Sequence, residues 1–147
     1  MTSFLWMGHK NNLGATMKEF VVSVTDRIGA MRDVFRAIAS ADINIKAVST
    51  EVCGKEGQIR IITDDPGKTA ETLEKEGFKF AENEVITASL EDKPGQLLEC
   101  TEKLANKHVN IKAAYTLGRE GDKMVFGFVV DNLAEAKKIC YPGLTHP

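Results

Sequence analysis

The chain has 147 residues, 43% of them apolar and 27% charged, with a formal net charge of −2. That is the balance of a soluble globular protein, with room for one ordinary domain or two very small ones. It disfavours a nucleic-acid surface, which shows a basic face, and no apolar run approaches the ~20 residues of a membrane helix.

Residues 1–16 carry Phe4-Leu5-Trp6-Met7 and then the polar run His9-Lys10-Asn11-Asn12. The apolar run is too short for a secretory leader and no Lys or Arg precedes it. The segment reads as an extension, and patterned sequence begins at Met17. Phe20, Val22 and Val24 alternate with polar neighbours, the period of a half-buried strand. Ile28, Met31, Val34 or Phe35, and Ile38 recur at helical spacing. Ile43, Ile45 and Ala47 make a second strand, Gly54–Gly57 a hairpin turn, and 58–63 a third strand. Asp65 before Pro66 caps a second helix, Gly77 ends it, and 78–81 read as a fourth strand.

The order then restarts. Ile86, Ala88 and Leu90 alternate; Leu97, Thr101, Leu104 and Ala105 form a helical stripe; Val109, Ile111 and Ala113 make a strand. Gly118–Asp122 turn into a strand at 123–130, where Phe126 and Phe128 read as core. Asn132 with Glu135 starts a last helix. The remainder, 141–147, contains two prolines and a glycine and offers no fourth strand. Its open edge falls to residues 3–7 or to another chain, since a bare edge is a liability.

A shift of 66 residues superposes Asp26 to Thr50 on Asp92 to Thr116 without a gap, with eight of 25 positions identical. The chain is therefore a tandem duplication of a β-α-β-β-α-β unit, the ferredoxin-like arrangement of the α+β class. The units are 17–83 and 84–147. Each is near the size at which a single core is marginal, so close pairing is expected.

The chemistry concentrates in the turn after the first strand, Asp26-Arg27-Ile28-Gly29-Ala30 in one copy and Asp92-Lys93-Pro94-Gly95-Gln96 in the other. A glycine there either permits the tight turn or admits a ligand close to the backbone. The turn feeds a helix N-terminus, whose free N–H groups suit a carboxylate. Asp26 and Asp92 either cap these helices or contact a ligand. Asn44 and Asn110 start the second strands and offer amide donors and acceptors to the polar end of an amino acid. Lys46 and Lys112, two residues on, read as a solvated face. His9, His108 and His146 are scattered, without a nucleophile or carboxylate partner at a motif spacing, and His108 reads as a helix-end residue. Cys53, Cys100 and Cys140 form no C-x-x-C pair; they read as small buried or half-buried thiols in a reducing cytoplasm. Neither catalysis, a metal nor a cofactor is indicated.

Asp92-Lys93-Pro94-Gly95-Gln96-Leu97, a helix and Val109-Asn110-Ile111 in this frame resemble the ACT domain family, twice over across residues 18–140. Copy one departs at Ile28, where the family has proline. The resemblance implies a regulatory module that binds an amino acid between domains. It implies ligand contacts at Asp26, Ile28, Gly29, Ala30 and Asn44, and at Asp92, Pro94, Gly95, Gln96 and Asn110. It further implies that the two second strands meet in an eight-stranded sheet, with Met31, Val48, Ala114 and Tyr115 lining a pocket. A free-standing amino-acid sensor that forms a homodimer follows. The alternative is a regulatory subunit acting by contact on a metabolic enzyme, as the small subunit of acetolactate synthase does.

Overall fold

The first unit buries Phe20, Val22, Val34, Ile38, Ile43, Ile59, Ile61 and Leu73 in one cluster. They come from strands β1 (Met17–Thr25), β2 (Ile45–Cys53) and β3 (Glu56–Thr63) and helices α1 (Ala30–Ser40) and α2 (Pro66–Lys75). The computed structural model describes residues 17–141. These divide into two compact units, Met17–Glu84 and Val85 onward. Each fully buried large apolar side chain contributes about 1.5–3 kcal/mol. The strand alternation read from sequence therefore places both helices of a unit over one face of its strands.

The second unit repeats the plan with helices α3 (Gln96–Asn106) and α4 (Leu133–Cys140) and strands β5 (Ile111–Glu120) and β6 (Lys123–Val130). Its core joins Ile86, Ala88, Leu90, Cys100, Leu104, Val109, Phe128, Ala136 and Cys140, with Phe126 packed against it. The two phenylalanines are core, as their alternation indicates. Caps behave as read: the Asp65 side chain accepts from the Lys68 N–H at 3.0 Å, and Asn132 from Glu135 at 3.2 Å. Asp42 and His108, each two residues past a helix end, take the left-handed conformation at φ 58 and 57. They terminate α1 and α3 in the place glycine normally holds.

Several expectations are corrected. The fourth strand of the first copy and the first strand of the second are one continuous strand, β4 (Lys79–Glu91). In the first unit the order is β2-β3-β1-β4, and in the second β4-β6-β5. The β1–β3, β2–β3, β4–β6 and β5–β6 pairs are antiparallel. Thus β2 and β5 are each the outer strand of their own unit and are not bonded to one another. Six strands are described, and the eight-stranded sheet is not formed among the described residues. The proposal that residues 3–7 fill the second unit's open edge lies outside the described residues. On that edge, the Tyr141 hydroxyl accepts from the Thr87 N–H at 2.5 Å.

The helical stripes are also shorter than read. Ile28 precedes α1 and is wholly exposed, and Met31 and Leu97 are partly exposed; Val34 with Ile38, and Cys100 with Leu104, carry the burial. Cys53 is exposed and only Cys100 and Cys140 are buried. Finally, Val21 faces Arg60 in one unit and Thr87 faces Gly127 in the other. The residue corresponding to Arg60 is therefore Gly127, and Ile62 corresponds to Val129.

Candidate functional site

Both turns after the first strand of a unit are built the same way. Gly29 and Gly95 precede their helices with φ 88. This left-handed conformation costs a residue with a Cβ about 1–2 kcal/mol, so glycine is the residue that fits. The Gly29 carbonyl accepts from the Asp33 N–H and the Gly95 carbonyl from the Glu99 N–H, both at 3.0 Å. Neither helix has a side-chain cap. Asp26 and Asp92 are therefore not N-caps; the Ala30 and Gln96 N–H groups donate back to the Arg27 and Lys93 carbonyls at 3.2 and 3.4 Å, and it is the next N–H groups of α1 and α3 that a helix N-terminus leaves without an intrahelical partner.

The side chains around the two turns differ. In the first, Arg27 and Arg32 both bond the Asp33 carboxylate, and those bonds, Arg27's first, hold its pKa below the ordinary 3.8. Arg32 also folds over the glycine: its Nη2 lies 2.7 Å from where a Gly29 Cβ would stand. The Asp26 N–H donates to the Lys55 carbonyl at 2.8 Å, tying the turn to the β2–β3 hairpin. In the second, nothing lies within 4 Å of a Cβ placed on Gly95. Asp92 pairs with Arg119 at 2.6 Å, and Lys93 with Glu91 at 2.8 Å. The latter bond raises the Lys93 pKa and lowers that of Glu91. The Gln96 Oε1 is buried there with no hydrogen-bond partner.

The asparagines are elsewhere. Asn44 and Asp64 clamp each other: the Asn44 N–H donates to the Asp64 carboxylate at 3.0 Å and its carbonyl accepts from the Asp64 N–H at 3.1 Å. Asn110 and Asp131 repeat the clamp at 2.8 and 3.1 Å. Cys53 and Thr25 both pair with Glu56 at the turn end of the first unit, whereas Ile45 pairs with Thr63 at the other. Asn44 is therefore separated from the Gly29 turn by the length of β2, about 30 Å at 3.3 Å per residue. The second unit is alike: Glu91 and Glu120 both face Lys123, while Ile111 faces Val130. So the structure gathers Asp26, Ile28, Gly29 and Ala30 at one place, and Asp92, Pro94, Gly95 and Gln96 at another. It does not bring Asn44 or Asn110 to the turn of its own unit. Tyr115 pairs with Gly127 and faces away from Ala114 and the helices of its own unit. Sequence reasoning missed Arg32 and Arg119. Arg119 is signalled only by its place beside the hairpin, 27 residues from Asp92.

Among the described residues no group of three or more His, Cys, Asp or Glu is placed to hold a metal ion, and no helix is long and apolar enough to cross a membrane. The chain belongs to the ACT domain pair family, whose model matches residues 15–142. No curated protein matches it. Among solved structures it is similar to a protein of Bacteroides thetaiotaomicron at 20% identity, covering 84% of this chain and 85% of that one, with a TM-score of 0.77. It is also similar to the regulatory subunit of aspartate kinase from Thermus thermophilus, at 14% identity, 88% and 93% coverage and a TM-score of 0.62. At these identities the likeness is one of fold.

Proposed function

We propose that this ACT domain pair is a non-catalytic, cytoplasmic regulatory protein that senses an amino acid, working as a homodimer without metal or cofactor. The observation that carries this reading is the duplicated glycine turn. In two unrelated side-chain settings the chain keeps the same left-handed glycine at a helix N-terminus without a side-chain cap. Free N–H groups and the positive end of the helix dipole suit a carboxylate. Met31 and Leu97, in the first turns of α1 and α3 and partly exposed, suit an apolar ligand side chain.

The strand order supports a second copy as the missing half of the site. β2 is an outer strand, and an antiparallel pairing of two β2 edges sets the Asn44 end of one copy beside the Asp26–Ala30 turn of the other. Lys46 near one end and Glu51 near the other give that pairing opposite charges. Val48 and Val52, 46% and 58% exposed on this edge, gain burial by it. The same pairing makes the eight-stranded sheet between chains.

A thermal-shift screen of the intact protein against the twenty amino acids tests the reading. One chemical class should raise the midpoint, by about 2.7 kcal/mol of stabilisation at a hundredfold excess over Kd. Gly95→Val and Asn110→Ala should weaken that binding while unfolding stays cooperative. Normal binding in both variants removes the site assignment. A screen with no shift favours the second reading, a regulatory subunit that touches a metabolic enzyme. Leu97 and Leu98, adjacent on α3 and 44% and 62% exposed, favour it.

A further inference from the structure

The two units differ on the face that no helix covers. In the first, alternation places Glu19, Val21, Ser23, Gln58, Arg60 and Ile62 there, a mixed surface built around the Arg60–Glu19 ion pair. In the second it places Val85, Tyr115, Leu117, Val125, Gly127 and Val129 there. The surface is tightly laid: a Cβ on Gly127 would stand 2.9 Å from Val85 Cγ1 and 3.1 Å from Leu117 Cδ1. Val85, Tyr115 and Val129 are only 6%, 7% and 4% exposed, although the core residues of α3 and α4 pack on the opposite face. Ser89, on the same face, is 2% exposed, and its Oγ has no hydrogen-bond partner. Side chains this buried on the outer face of a sheet have other atoms laid over them.

The direction of the chain says what that cover is. The described structure begins at Met17, on β1. There Lys18 pairs with Glu82, and Glu19 accepts from the Asn83 amide at 2.9 Å. Val85 follows two residues later on the same strand and face as Asn83. Sixteen residues precede Met17, enough to reach about 50 Å when extended, and they hold the run Phe4-Leu5-Trp6-Met7. The six residues after Tyr141 hold one bulky aliphatic residue, Leu144.

We infer that the helix-free face of the second unit is the docking site of the chain's own N-terminal segment, with Phe4–Met7 lying over Val85, Leu117 and Val129. The inference is independent of the amino-acid reading, because the face lies across the sheet from the helices and turns.

Trp6 is the single tryptophan of the chain, so its fluorescence reports the segment in the intact protein. Emission should be blue-shifted from that of free N-acetyltryptophanamide, and acrylamide quenching several-fold weaker, at every protein concentration. Leu117→Asp and Val125→Asp, at half-buried positions, should restore solvent-like emission while far-UV circular dichroism is unchanged. Should either variant fail to fold, Leu5→Asp in the segment itself should free Trp6 and leave both units folded. Solvent-like emission from the folded native chain overturns the proposal. So does protection that survives all three substitutions. Protection lost on dilution overturns it too, in favour of a face covered by a second copy.

Discussion

The same two positions of the sheet hold Glu19 and Arg60 in the first unit and Val85 and Gly127 in the second. In the first, a carboxylate with no exposed surface bonds Arg60 at 2.8 Å and Asn83 at 2.9 Å. In the second, a valine methyl lies against a glycine with no room for a side chain. Helices, caps, left-handed glycines and backbone clamps are shared by both units, so the fold tolerates either solution. What it cannot tolerate is half of one. A buried carboxylate stripped of its cation keeps its desolvation cost, and a tight apolar contact has no space for an added atom.

The largest contrast should come from the thiols. Burial raises the Cys100 pKa to about 11 and that of Cys140 to about 12, while Cys53 in the first unit is exposed. In the native protein near pH 8, iodoacetamide should label Cys53 alone, and all three after denaturation, as mass spectrometry of the peptides would show. Because the folded values lie above the ordinary 9.0, this stabilisation is whole below pH 9. It is lost as pH rises toward 11–12, so the second unit should be the alkali-sensitive one.

Next in size is the ion pair. Arg60→Met should cost about 3 kcal/mol in denaturant unfolding, and adding Glu19→Val should restore most of it. A double variant no better than the single would show that the two units do not have interchangeable solutions. Gly127→Ala should cost about 1–3 kcal/mol by overpacking against Val85 and Leu117. Smallest and most alike are Gly29→Ala and Gly95→Ala, each about 1–2 kcal/mol from the left-handed backbone. Arg32 is a flexible tip that can swing aside, so a difference between the two well beyond ~0.5 kcal/mol would mean that it holds the first turn.

Much of this was legible in the sequence because it is local. The Asp65 and Asn132 caps, the Gly77 stop, the glycine turns and the alternation of the core strands each depend on a few adjacent residues. The misses depend on pairing. The strand read at 78–81 and the one read from Ile86 are a single strand, because β4 runs straight through Glu82-Asn83-Glu84. Asn44 and Gly29 lie close in sequence but at opposite ends of the unit, since an antiparallel edge strand must run its full length between them. Ile28 fits the helical period and yet precedes the helix, because the chain turns at Gly29.

The irregularity in β5 carries a record of ancestry. Both copies share a register shift at the same place, Ile45/Ala47 and Ile111/Ala113, and the second copy alone has another, at Thr116/Gly118. The copies superpose at an offset of 66 up to Thr50 and Thr116, and at 67 from Gly54 and Gly121 onward. One residue was therefore gained or lost after the duplication, and the β5 irregularity holds the difference. Slipped into a regular ladder, that residue would have turned every following side chain to the wrong face. Confined to a bulge, it left Phe126 and Phe128 in the core and set Leu117 on the opposite face.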